Sequence, residues 1–132
     1  VAPIIAFAYT TPALLAGAKT VTRRRWAERH ARIFREGTRV DAWDRSPRIK
    51  IARRVATIRV LEEPRLERSD MVVLADWYLE GLEYLRAHGA TDAEKALAER
   101  IWNGWVNHPH WLYVIRFELL TVLERPDRGG KR

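Results

Sequence analysis

The apolar residues of this chain are divided among short strand-like runs, and that division constrains the fold more than any other feature. Residues 4–8 form a brief run with β-branched and aromatic members. Residues 38–43 alternate, with Val40 and Ala42 on one side and Asp41 and Trp43 on the other. Residues 49–61 interleave Ile51, Val55, Ile58 and Val60 with Lys50, Arg53, Arg54 and Arg59. Alternation at period two marks a strand with one buried face. The third segment is too long for one ordinary strand, so a hairpin turn or bulge is expected near residues 52–54, and Pro64 ends it. Thr20, Val21 and Thr22 start a further strand within residues 19–26, and residues 111–120 supply the last one.

Helical stretches lie between these runs. Thr10 or Thr11 caps a helix of about two turns, with Pro12 in its first turn and Gly17 at its end. Residues 27–35 have helical composition and stop at Gly37. Ser69 or Asp70 caps a helix over residues 71–87, whose stripe is Met71, Leu74, Tyr78, Leu82 and Leu85. Thr91 or Asp92 caps another, reaching about Val106, with Ala93, Leu97, Ile101 and Trp105 on its buried face. Strands and helices in this order predict an α+β fold, and several short strands that must close on themselves suggest a small barrel.

A length of 132 residues fits one domain, expected over residues 1–123, with 124–132 as a flexible polar tail containing Gly129 and Gly130. Six Trp, four Tyr and three Phe argue against a disordered chain. No apolar run approaches the roughly 20 residues that span a bilayer, so no membrane partner is expected. The opening segment lacks the basic lead and cleavage pattern of a signal peptide, and a cytoplasmic setting is expected. The absence of Cys excludes disulfides and thiolate metal sites. His108 and His110 could hold zinc only with help from elsewhere, so no metal and no cofactor are expected.

The charge is +7, from 24 Lys and Arg against 17 Asp and Glu. The excess is mostly Arg, which binds planar anions and phosphates bidentately, so polyanions are plausible partners. A generally Arg-rich proteome or thermal adaptation fits the charge equally well.

Three motifs could carry chemistry. In residues 17–24 a Gly turn leads into Lys19, Thr20, Val21, Thr22, Arg23 and Arg24. If the turn distorts the strand start, Lys19 reaches the same pocket as Thr22, where it can activate the hydroxyl or hold an oxyanion. The spacing alone favours a solvated strand start. In residues 41–48, Trp43 offers a face for stacking a base, and Arg45 and Arg48 offer phosphate contacts. A core Trp followed by a salt-bridged turn fits as well. In the third motif, Glu80 follows Trp77 by three residues and precedes Tyr84 by four, so a helix sets it beside two aromatics. A carboxylate there can act as a general base. A helix-surface Glu paired with an Arg is the plainer reading.

Residues 15–24, with Gly17, Lys19, Thr20 and Thr22 at their centre, resemble the signature of the ASCH domain family. Phe34 and Gly37 ahead of a strand, the strand over residues 55–60, the helix carrying Glu80-Gly81-Leu82 and the aromatic last strand extend the likeness across about residues 4–120. The resemblance implies a PUA-like β-barrel with flanking helices and a cleft between them, and an association with RNA. One branch, the small bacterial N4-acetylcytidine amidohydrolases, uses a Lys, a Thr and a Glu. Carried over, Thr22 is the nucleophile, Lys19 its activator and Glu80 an acid or base. Another branch resembles ribonucleases. The chain departs from the amidohydrolases in its added segment near residues 26–34, its additional helix near 92–106 and its Arg-rich runs.

The leading expectation is an RNA- or nucleotide-binding domain with a basic cleft, in which Lys19, Arg23, Arg24, Arg45 and Arg48 meet anionic groups and Trp43 stacks on a base. The alternatives are a hydrolase of an acylated nucleoside through Lys19, Thr22 and Glu80, a metal-independent ribonuclease, and a protein-interaction module. Oligomeric state is open.

Overall fold

The computed structural model describes residues 1–123. The expected tail at 124–132 lies outside the described residues. The elements run β1 (Ile4–Ala6), α1 (Thr11–Leu15), β2 (Val21–Arg24), α2 (Glu28–Ala31), β3 (Arg39–Trp43), β4 (Arg54–Val60), β5 (Arg65–Arg68), α3 (Leu74–Leu79), α4 (Leu82–His88), α5 (Asp92–Asn107) and β6 (Trp111–Val122). Content is mixed α and β, and the six strands form a curled half-barrel sheet.

The strand order is β1-β3-β4-β6-β2, with β5 also paired to β6. β1 and β3 are parallel, and the other pairings are antiparallel. β6 is the long strand that makes the curl possible. Its second half pairs with β4, and its first half pairs with both β2 and β5. Val114, for example, lies opposite Arg23 and opposite Arg65, so β2 and β5 occupy its two edges. A register shift opposite Thr57 and Ile58 leaves Leu120 of β6 as an extra residue and bends that strand against β4.

The alternating residues of the sheet supply the main core. Ile5, Phe7, Leu14, Phe34, Val40, Ala42, Ile58, Ile115 and Phe117 are all buried in one cluster, and Trp26 stacks on Phe34 at 4.4 Å between ring centroids. A second cluster joins α3, α4 and α5 through Leu82, Leu85 and Ala98, ringed by Trp77, Trp102 and Trp105. Ser69 ties the helices to the sheet. Its hydroxyl donates to the Trp105 carbonyl at 2.8 Å and accepts the His110 N–H at 3.1 Å.

Several expected elements differ. The strand expected from Ile49 begins at Arg54, because residues 44–53 close on themselves as a loop. The helix over 27–35 is one turn, Glu28–Ala31, since Trp26 and Phe34 turn into the core on either side of it. β5 follows Pro64 unforeseen, since Arg-Leu-Glu-Arg carries little apolar alternation. The helix over 71–87 is broken in two at Gly81, whose φ of +82° no helix interior allows. Of its expected stripe, Leu82 and Leu85 are buried, whereas Met71, Leu74 and Tyr78 are exposed. On α5, Ala98 is the buried residue and Ala93 is exposed.

Candidate functional site

The break at Gly81 builds the first candidate site. Glu80 caps the C-terminus of α3, and Gly81 reverses the chain immediately after it. A Cβ at Gly81 would lie 2.8 Å from the Ala13 Cβ and 3.1 Å from the Lys19 Cβ, so glycine here also lets α1 and the Lys19 segment pack against the reversal. The Thr20 N–H donates to the Leu79 carbonyl at 2.9 Å, which holds the entry to β2 against the end of α3.

Lys19 and Glu80 meet there. Lys19 Nζ donates to Glu80 Oε1 at 2.9 Å and to the Glu80 backbone carbonyl at 2.8 Å. Arg23 Nη1 donates to Glu80 Oε2 at 2.9 Å. Arg23 also faces Asp76 Oδ1 at 3.3 Å and Glu67 Oε1 at 3.8 Å, with its guanidinium 5.5 Å from the Trp105 ring centroid. Lys19 and Glu80 are each 3% exposed, so this is a buried ionic cluster and not a solvated strand start. Burial lowers the Lys19 pKa, the Glu80 carboxylate opposes that shift, and the nearby Arg24 and Arg23 charges add to it.

Thr22 and Arg24, two apart on β2, share the strand face that looks into the core of the half-barrel, with Thr22 opposite the buried Ile115. Arg24 Nε donates to Thr22 Oγ1 at 3.0 Å, Arg24 Nη2 donates to the Ala6 carbonyl at 2.7 Å, and the guanidinium lies 5.4 Å from the Phe7 ring centroid. β1 and β2 are the two ends of the strand order, so this side chain spans the gap between them. Burial lowers the Arg24 pKa, opposed by Glu80.

The structure therefore brings Lys19 and Glu80 into contact and adds Arg23 to them. It does not bring Thr22 into hydrogen-bond contact with either, and Arg24 is the charged group bonded to that hydroxyl. Glu80, the residue after the end of α3, has its carboxylate held by two cations, and Trp77, expected beside it, instead donates its indole N–H to Glu83 Oε1 at 2.9 Å. Asp76, Glu67 and Trp105 belong to the cluster and were missed. The available signal was the four-residue spacing of Asp76 and Glu80, which sets two carboxylates on one helix face.

The second candidate is the loop over residues 44–53 between β3 and β4. The Asp44 N–H donates to the Arg53 carbonyl at 3.0 Å, and the Arg53 N–H returns to Asp44 Oδ1 at 2.8 Å, closing the loop at its base. Turns follow inside it, from the Ile49 N–H to the Ser46 carbonyl and from the Ala52 N–H to the Ile49 carbonyl, each at 2.9 Å. Arg45, Arg48, Lys50 and Arg53 are exposed, and among the described residues none is in an ion pair. Trp43, at the root of the loop, is partly buried, and its indole N–H is buried without a partner. The expected site residues thus fall in two places: Lys19, Thr22, Arg23, Arg24 and Glu80 around β2, and Trp43, Arg45 and Arg48 on the loop.

A shallow groove lined by Arg100, Asn103, Gly104, Asn107 and His108 lies on α5 and shares no residue with either place. Among the described residues no group of three His, Asp or Glu side chains could hold a metal ion, and no helix is long and apolar enough to cross a membrane.

No family model matches the sequence, and no curated protein matches it. Among solved structures, the chain is similar to the crystal structure of protein EF3133 from Enterococcus faecalis V583, described under the family model DUF984. The TM-score is 0.55 at 16% identity, covering 97% of this chain and 86% of that one. At that identity the likeness is one of fold: the curled sheet with its helices is an arrangement that a sequence differing at most positions also adopts.

Proposed function

We propose that this chain is an ASCH-type domain, a PUA-like barrel in architecture, that binds RNA or a nucleotide through the basic loop between β3 and β4. The observation that carries this reading is how the cations are partnered. Lys19, Arg23 and Arg24 are occupied by Glu80, Asp76, Thr22 and the Ala6 carbonyl, which leaves them little capacity for an external anion. Arg45, Arg48, Lys50 and Arg53 stand in solvent on a loop whose backbone is already ordered. Ordering before binding lowers the entropy that association must overcome. Trp43 at the loop root adds an aromatic face of the kind bases stack on.

Binding of a short labelled RNA across a salt series tests this. Counterion release from a single strand gives a log–log slope of about −0.7 per phosphate contacted, so four contacts give roughly −3. Arg45→Ala with Arg48→Ala should reduce the slope by about 1.4. Lys19→Met should leave the slope unchanged while the domain stays folded. Wild-type protein that shows no salt-sensitive binding would retire the reading.

A second reading keeps a hydrolase of acylated nucleosides. In its favour, the Arg24 guanidinium contacts the buried Thr22 hydroxyl at 3.0 Å, and a cation there favours alkoxide character. Against it, both Glu80 oxygens are held by cations, and neither Lys19 nor Glu80 bonds Thr22. Release of cytidine and acetate from N4-acetylcytidine, lost in Thr22→Val, would support it. The same RNA recovered intact from the binding assay would argue against a ribonuclease.

A further inference from the structure

The loop that carries the exposed cations also presents Ile49, 47% exposed, and Ile51, 65% exposed. Single exposed apolar side chains are ordinary on protein surfaces. Here two β-branched residues stand two positions apart, with Arg48, Lys50 and Arg53 beside them. They are not stray ends of a mobile segment. The Ser46–Ile49 and Ile49–Ala52 turns and the Asp44–Arg53 closure hold the backbone that displays them. The same turns keep this segment out of the sheet, so its isoleucines have no core face to occupy.

Contact with phosphates alone has no use for such side chains. Apolar surface between cations fits a polyanion that also presents flat apolar faces. Unpaired nucleotides do so, since their bases can splay from the backbone and expose faces that apolar side chains can cover from water. A duplex hides its base faces in the stack, and the major groove of A-form RNA is too narrow and deep for a side chain to read.

We infer that Ile49 and Ile51 determine specificity, and that the loop takes an unpaired segment of nucleic acid in preference to a paired one. This rests on the RNA-binding reading above. The cations supply attraction to any strand, and the isoleucines add contact only where base faces are open.

The test compares an unstructured 12-nucleotide RNA with the same strand annealed to its complement, across one salt series, for wild type and for Ile49→Ser with Ile51→Ser. Both side chains are exposed, so the variant should keep the wild-type thermal midpoint. Wild type should bind the single strand about tenfold more tightly than the duplex. The variant should lose roughly fivefold on the single strand, from apolar surface no longer covered, and stay within about twofold on the duplex, with an unchanged salt slope, because no cation is removed. Equal or tighter duplex binding, or an equal loss on both RNAs, overturns the inference and leaves the RNA reading standing. No binding of either RNA by wild type overturns that reading, and this inference with it. Isoleucine-dependent binding to phosphatidylserine vesicles without RNA binding assigns the loop to anionic lipid and overturns both.

Discussion

Lys19 is bonded twice to one residue, through its Nζ to the Glu80 carbonyl at 2.8 Å and to Glu80 Oε1 at 2.9 Å, and Glu80 holds Arg23 with its other oxygen. The two ends of this arrangement are unequal. Removing Lys19 leaves Glu80 still paired to Arg23, whereas removing the Glu80 carboxylate leaves the buried Lys19 with no counter-charge, Arg23 keeping Asp76 and Glu67. Breaking a buried pair so that charge is left unpaired destabilises by about 3–5 kcal/mol. Glu80→Ala should reach that range, and Lys19→Met should fall near about 1–3 kcal/mol, the effect of leaving the Glu80 carbonyl without its donor. Urea unfolding midpoints of the two variants check the order. A Lys19→Met more damaging than Glu80→Ala would show that the carboxylate, not the cations, is the group this cluster must neutralise.

The same cluster sets a pH dependence. Lys19 has a folded-state pKa below the ordinary lysine value, chiefly through burial. Between the lowered value and the ordinary one, the unfolded chain binds more protons than the folded chain, so stability from this group rises with pH across that window. Unfolding free energies measured from neutral pH toward the ordinary lysine range should therefore rise more in wild type than in Lys19→Met. Parallel curves would mean that Glu80 offsets the burial completely.

Gly81 and Gly37 both have positive φ, at +82° and +86°, yet only Gly81 has neighbours where a Cβ would go. Gly37→Ala should cost about 1 kcal/mol, from backbone conformation alone. Gly81→Ala should cost roughly 2–4 kcal/mol, because overpacking against Ala13 and Lys19 is added to it. Thermal midpoints of the two variants separate conformational strain from steric strain.

Arg24 spans from β2 to the Ala6 carbonyl at the far end of the strand order. Arg24→Met should keep the apolar stem over Phe7 while removing both hydrogen bonds. The expected result is a loss of about 1–3 kcal/mol and faster amide exchange in β1. Arg24→Lys should not restore protection, since one ammonium cannot reproduce the planar fork that reaches Thr22 and Ala6 together. Unchanged exchange in β1 would show that pairing with β3 alone holds that strand.

The strands with clean alternation were legible. Residues 38–43 read as a strand from Val40 and Ala42, and β3 occupies Arg39–Trp43. β6 was legible to within two residues at its end. The errors came where long-range contacts outweighed local pattern. Ile49 and Ile51 carry strand propensity, yet Asp44 closes a loop around them. Glu80 sits in a helical pattern, yet it is already the C-cap of α3, because Gly81 turns the chain directly after it.

The sequence by itself determined the mixed α and β content, the short strands and the excess of arginine, because periodicity, turn residues and composition are local; Lys19 and Glu80 stood in separate motifs that only the resemblance to the ASCH family joined. Only the tertiary structure decided which cations are spent. Arg23, Arg24 and Arg45 look alike along the chain, but the ends of α3 and β1 bring acceptors to the first two and none of the described residues ion-pairs with the third. Pairing across 57 residues for Arg23, and across the sheet for Arg24, depends on how the half-barrel curls and where Gly81 turns the chain, and neither is encoded in the spacing of neighbouring residues.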